Sequence, residues 1–412
     1  MDDGERVVHW TELQYQEVLE FDEAHLQRRQ STGFVDHSYR LVTRPNSTLQ
    51  EWRLDDDAVI GRICYKDTTK ALITLTKKAV PVTIGDSYNF NRRSWTAWLT
   101  VPFSFGVAYA ATSNLYRRIS HGVLGLGILP YQPDFAGSKE TGQPISFGVA
   151  LSDQHLIPAQ SAEGGLRCLI YYFVLRQLMK HGDSFLALNI WPCVNETGAP
   201  VVPDWSHRIP LVPNANHWSI CALSFLFECY DKHSKKWNPV SEGAYSFGTG
   251  GEGVTVVIDS GCTLSWLPAG LIRHIRQNVF ITGESGEANK VIQEERGDNP
   301  SAGMIDDPPP FYGPSETDVW QVKVTFKGAD GPVTVKLPVD PFVCTWNPTR
   351  GKMEGLLYVP PWQEVTYILG TNFFNAAFVA LHNVSPGNIS RAYVKLAPQW
   401  PEQRAWFKVP PQ

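Results

Sequence analysis

The residues best suited to chemistry in this chain lie in one short stretch, Val256-Val257-Ile258-Asp259-Ser260-Gly261-Cys262-Thr263-Leu264. A β-branched run delivers an aspartate into a Ser-Gly turn, and a second apolar run follows at once. That pattern predicts a buried strand, a tight loop and a second element leading away. Gly261 lets backbone amides turn toward the carboxylate, and Ser260 and Thr263 bring short hydroxyl donors, so the loop can hold an ionised aspartate against desolvation. The plainer reading is an ordinary turn with Asp and Gly where turns usually carry them.

The elements around this stretch read as those of a β protein. The chain has 412 residues, 12% of them aromatic and only 19% charged, with 33 glycines and 30 prolines. That length accommodates two lobes with separate cores, and the balance suits loop-rich sheets better than a helical bundle. A net charge of -5 leaves no footprint for nucleic acid or an anionic membrane surface. No window is apolar for long enough to suggest a transmembrane helix. Zinc-ligand spacing, a phosphate-binding glycine loop and a nucleophile elbow are not seen, so no metal or cofactor is expected.

Further along, Ile368-Leu369-Gly370-Thr371-Asn372-Phe373-Phe374 precedes Phe378-Val379-Ala380-Leu381. Together with the Asp259 stretch this resembles the pepsin-like aspartic proteases of eukaryotic type. Their second active-site loop has the pattern apolar, apolar, Asp, Thr or Ser, Gly, and an apolar-apolar-Gly strand passes behind it. The resemblance implies a mainly β, bilobal fold with a central cleft, Asp259 at its floor and peptide hydrolysis; the partner expected in the cleft is a small apolar molecule or a peptide. His121-Gly122-Val123-Leu124-Gly125-Leu126-Gly127 resembles the corresponding first-lobe segment, with His121 in place of an aspartate. A surface or hydrogen-bonded role for His121 is preferred over catalysis. Each glycine of the two repeats is expected where a side chain would collide with a catalytic loop.

The first loop departs from the family. Gln16-Glu17-Val18-Leu19-Glu20-Phe21-Asp22 resembles the strand entering it, which makes Asp22 the candidate first aspartate, yet Glu23-Ala24-His25 stands where Thr-Gly-Ser is usual. By propensity alone, residues 11–26 read equally well as an amphipathic helix capped by Thr11. Ile63-Cys64-Tyr65-Lys66-Asp67-Thr68-Thr69-Lys70-Ala71-Leu72-Ile73 reads as strand, polar turn and strand. The resemblance implies a flap tyrosine there, Tyr65, although Lys66 and Asp67 replace the glycine-rich tip; the alternative is an ordinary strand aromatic. Asp55-Asp56-Asp57 reads as a solvated turn.

Strands are expected at Val80-Pro81-Val82-Thr83-Ile84-Gly85, at Phe103-Ser104-Phe105-Gly106-Val107-Ala108 and from His217 to Leu223. Others are expected at Ser184 to Asn189, Val319 to Phe326 and Val333 to Leu337. Residues 165–180 are expected to form a helix stopped at Gly182. The lobes divide as 1–208 and 209–412, with the junction in the proline-containing stretch from Asp204 to Pro213 and a long surface loop at about 284–318. The tail from Trp400 is expected to dock.

Seven cysteines without close pairs make a poor disulfide framework, and the start Met1-Asp2-Asp3-Gly4-Glu5-Arg6 has no signal-peptide character. The cysteine usage favours an intracellular, cytoplasmic setting with reduced thiols, and a monomer is expected. A removed signal and pro-segment would make it secreted instead. The sequons at Asn46, Asn195, Asn383 and Asn388 carry little weight against this.

Three functions stay open. One is a repurposed enzyme using Asp259, with Asp22 or His25 nearby, as acid or base in a dehydration, isomerisation or cyclisation. Another is an endopeptidase with an Asp22/Asp259 dyad sharing one proton. The third is a non-catalytic module binding a peptide or protein. Substrate-binding candidates are Tyr65, Ser260, Gly261, Thr263 and His25.

Overall fold

The computed structural model describes residues 6–7, 39–41, 53–54, 60–64, 70–75, 80–85, 88–89, 94–95, 98–103, 106–112, 125–128, 147, 150, 160–161, 167–175, 184–189, 191, 193–194, 199, 201–215, 217–231, 233–248, 250–275, 320–347, 352–360, 366–383, 389–400 and 407–408. The chain is mainly β and divides into two compact units, 1–87 with 95–156, and 88–94 with 157–412. The stretch from Asp204 to Pro213 thus lies inside the second unit.

In the first unit a four-stranded antiparallel sheet runs Tyr39–Leu41, Gly106–Thr112, Lys70–Leu75, Ile60–Cys64. Both strands of the expected strand–turn–strand are present there, with Cys64 opposite Lys70. Val80–Gly85 pairs with Trp98–Phe103. The run expected as one strand over 103–108 is therefore split, with Phe103 ending one strand and Gly106 starting another.

The second unit holds two larger sheets. The eight-stranded sheet has the order Pro332–Pro338, Trp320–Lys327, Ser219–Asp231, Val254–Ile258, Tyr367–Leu369, Ser265–Trp266, Leu357–Tyr358, with Lys236–Ser246 also on Ser219–Asp231. The strand expected from His217 and the pair expected at 319–326 and 333–337 are all here. Alternation over Pro332–Pro338 sets Val333, Val335 and Leu337 inward while Thr334 and Lys336 face out, the period-2 pattern of a half-buried strand.

The six-stranded sheet runs Gln160–Ser161, Arg167–Val174, Ala377–Asn383, Tyr393–Pro398, Ile209–Pro210, with Phe185–Leu188 also on Arg167–Val174. The helix expected over 165–180 is not formed: residues 167–174 are a strand. Tyr171 and Val174 are wholly buried, and Leu169, Ile170 and Phe173 are buried with them. A strand covered on both faces shows no alternation, so its apolar run resembles a buried helix. An aromatic ladder links the two sheets, with ring centroids 6.2 Å apart for Phe225–Phe342, 5.3 Å for Phe342–Phe373, 6.3 Å for Phe373–Phe374 and 5.2 Å for Phe374–Phe173.

One core position of this sheet is polar. His382, 7% exposed, stands opposite Ile170 and Tyr393 and stacks on the Tyr393 ring at 4.4 Å. Tyr172 meets it edge-on, Arg208 lies 5.0 Å over the Tyr393 ring, and its Nδ1 has no hydrogen-bond partner. Burial, followed by the charges of Lys395 and Arg208, pulls the His382 imidazole down to about 3.

Candidate active site

The Asp259 loop begins where a central strand ends. Val254–Ile258 pairs antiparallel with Ser219 to Ala222 on one side and parallel with Tyr367–Leu369 on the other. Beyond the loop the chain returns as Ser265–Trp266, which lies against the far side of Tyr367–Leu369, with Trp266 opposite Ile368. The strand Tyr367–Leu369 is therefore inserted between two strands that the loop connects, and the loop straddles its end.

That threading explains Gly370. A Cβ there would collide with the Leu264 carbonyl oxygen and sit 2.6 Å from the Cys262 carbonyl oxygen. Only a residue without a side chain lets the backbone pass so close. The first-lobe loop expected beside Gly125 lies outside the described residues. Gly125 is exposed, and a Cβ built on it meets nothing within 4 Å among the described residues. The collision expected behind the Asp259 loop is found at Gly370.

The loop is fastened to this strand through its backbone. The Asp259 amide donates to Leu369 O (3.1 Å), the Thr371 amide to Cys262 O (2.7 Å), and the Thr371 hydroxyl to Ser260 O (3.0 Å). Within the loop the Cys262 amide donates to Asp259 O (3.2 Å). The carboxylate itself accepts the Gly261 amide on Oδ1 at 2.8 Å. This bond fixes the direction in which the other oxygen faces. Asp259 and Ser260 are half-buried, while Gly261 and Thr263 are exposed. Among the described residues the donor to the carboxylate is thus a backbone amide rather than the hydroxyl of Ser260 or Thr263. The arrangement presents a partly desolvated acid that can exchange a proton with a molecule at the loop surface.

Behind the loop lies a buried polar chain that local sequence reading does not reveal. Gly370 N–H donates to Ser265 Oγ (3.0 Å), and Ser265 Oγ donates to Asn372 Oδ1 (2.8 Å). Asn372 Nδ2 then donates to Phe342 O (2.6 Å) and Leu356 O (3.2 Å). Ser265 is wholly buried and Asn372 is 3% exposed, so each polar group is matched where an orphan would be costly. The only sequence signal was two small polar residues set inside apolar runs.

Asp22, His25 and Tyr65, with Glu23, Ala24 and His121, lie outside the described residues, as do residues 11–26 and 284–318. Of the expected site residues, the structure places Asp259, Ser260, Gly261 and Thr263 in one loop. No group of metal-ligating side chains occurs among the described residues, and no described helix is long and apolar enough to cross a membrane.

Cys168, Cys193, Cys221, Cys229, Cys262 and Cys344 are free thiols. Burial, with the charge of Asp340 second, raises Cys344 far above an ordinary thiol. Cys262 donates its thiol to Leu264 O at 3.1 Å. The sequon residue Asn383 is 1% exposed at the end of its strand, out of reach of modification in the folded chain.

No protein-family model matches the chain, and no curated protein matches it either. Among solved structures it is similar to the aspartic proteinase from Irpex lacteus, at 13% identity and a TM-score of 0.47 over 85% of this chain and 86% of that one. A likeness this distant says nothing about activity.

Proposed function

We propose that the chain is an enzyme of pepsin-like fold in which Asp259 acts as a general acid or base on a small apolar molecule, in place of shared-proton peptide hydrolysis. The observation carrying this reading is the Asp259 carboxylate, half-buried and anchored by the Gly261 amide in a loop whose backbone is fastened to Leu369 and Thr371. A lone carboxyl so held can take a proton from carbon or give one to oxygen, as a dehydration, isomerisation or cyclisation requires.

The first loop supports the same choice. A shared-proton dyad needs donor-rich loops on both sides, and Glu23-Ala24-His25 brings an extra negative charge and a methyl group where Thr-Gly-Ser is usual. Free thiols favour an intracellular setting, and the same proposal includes a monomer.

The test has two arms. Denatured globin or casein is incubated with the protein from pH 3 to 7, with and without a statine-type inhibitor, and no inhibitor-sensitive cleavage is expected. In parallel, small-molecule extracts are incubated with wild type and Asp259→Asn, and an apolar compound is expected to be consumed by wild type alone. Inhibitor-sensitive cleavage would restore the Asp22/Asp259 endopeptidase. Identical extracts without cleavage would leave a non-catalytic binder of peptides.

A further inference from the structure

The donor to the Asp259 carboxylate is one half of a peptide unit, and the other half has its own partner. The amide joining Ser260 to Gly261 gives its N–H to Asp259 Oδ1 at 2.8 Å, while its carbonyl accepts the Thr371 hydroxyl at 3.0 Å. Because the peptide unit is planar, fixing its oxygen fixes the direction of its N–H. Donation to the carbonyl also polarises the unit and makes the N–H a stronger donor.

Gly261 is exposed, and glycine tolerates either orientation of the preceding peptide, so local chain stiffness does not select this one. Thr371 does. It also donates its amide to Cys262 O at 2.7 Å, which clamps the loop on both sides of Gly261. Thr371 follows Gly370 directly, and its position is set in turn by the buried Ser265–Asn372 chain.

We infer that Thr371 is a positioning residue for Asp259, acting through the Ser260–Gly261 peptide. The inference rests on the reading of Asp259 as the acid or base and adds the group that aims it. Thr371 is half-buried, so valine keeps its shape and backbone amide and removes only the hydroxyl, whereas serine keeps the hydroxyl.

The experiment follows backbone amides of the intact, isotope-labelled chain by NMR in wild type, Thr371→Val and Thr371→Ser. In Thr371→Val the Gly261 amide is expected to exchange with solvent about tenfold faster, the equivalent of one ordinary hydrogen bond, and its proton resonance to move upfield. Amides of the Trp320–Lys327 strand are expected to stay unchanged, and Thr371→Ser to behave as wild type. Thr371→Ala serves in place of the valine variant if that one does not fold. An unchanged Gly261 amide would overturn the inference, as would a serine variant no better than valine, or a loss of protection spread equally over the remote strand. No substrate enters this measurement, so it stands or falls apart from the turnover test of Asp259.

Discussion

Acidification should weaken this protein through His382. Its imidazole meets Tyr172 from one neighbouring strand and Tyr393 from the other, and the charges of Lys395 and Arg208 act on it. In the fold it stays neutral down to about pH 3, against an ordinary value of 6.5 for the unfolded chain. Below pH 6.5 the unfolded chain therefore binds a proton that the folded chain refuses. Stability from this group is complete above 6.5, falls as pH drops and levels off near 3. Two pH units below 6.5, at about 1.4 kcal/mol each, make the loss at pH 4.5 about 3 kcal/mol. Against a typical total of roughly 5–15 kcal/mol that is a large share. Urea unfolding of wild type and His382→Phe at pH 7.5 and 4.5 measures it. Phenylalanine can keep the stack on Tyr393 and removes a buried nitrogen without a partner, so the variant should match or exceed wild type at pH 7.5. At pH 4.5 it should exceed wild type by about 3 kcal/mol. Parallel pH dependence of the two proteins, within about 0.5 kcal/mol, would refute the reasoning.

Other expectations concern the loop and the thiols. Gly370→Ala should cost about 3 kcal/mol, because its methyl group meets two fixed carbonyls, and denaturant midpoints will show it; a loss below about 0.5 kcal/mol would mean the loop can move aside. Ser265→Ala strands both Gly370 N–H and Asn372 Oδ1 in the core, for an expected loss of about 3 kcal/mol in the same assay. Iodoacetamide at pH 7.5 should label Cys262 in the folded protein well before Cys168, which burial raises to about 11, or the fully enclosed Cys344; peptide mass spectrometry gives the order, and early labelling of Cys344 would contradict its enclosure.

The sequence by itself determined the strand at Val254–Ile258, the turn at Asp259 and the strand ending at Gly370, because these depend on local chemistry. A β-branched run favours extended backbone, Asp-Ser-Gly favours a turn, and glycine marks close approach. Tertiary structure alone decided that Arg167–Val174 is a strand. Leu175, Arg176, Gln177, Leu178, Met179 and Lys180 speak for helix on propensity, but residues 167–174 pair with Phe185–Leu188 and Ala377–Asn383 and are buried from both faces. It also decided why Gly370 is indispensable, since the Tyr367–Leu369 strand threads between the two arms of the Asp259 loop. The polar chain behind Asp259 was beyond local reading for the same reason. Ser265 and Asn372 stand 107 residues apart, and nothing in either neighbourhood says that one hydroxyl will serve both Gly370 and Asn372. Hydrogen-bond partners of buried polar groups are chosen by the packing of distant segments, which a local pattern does not encode.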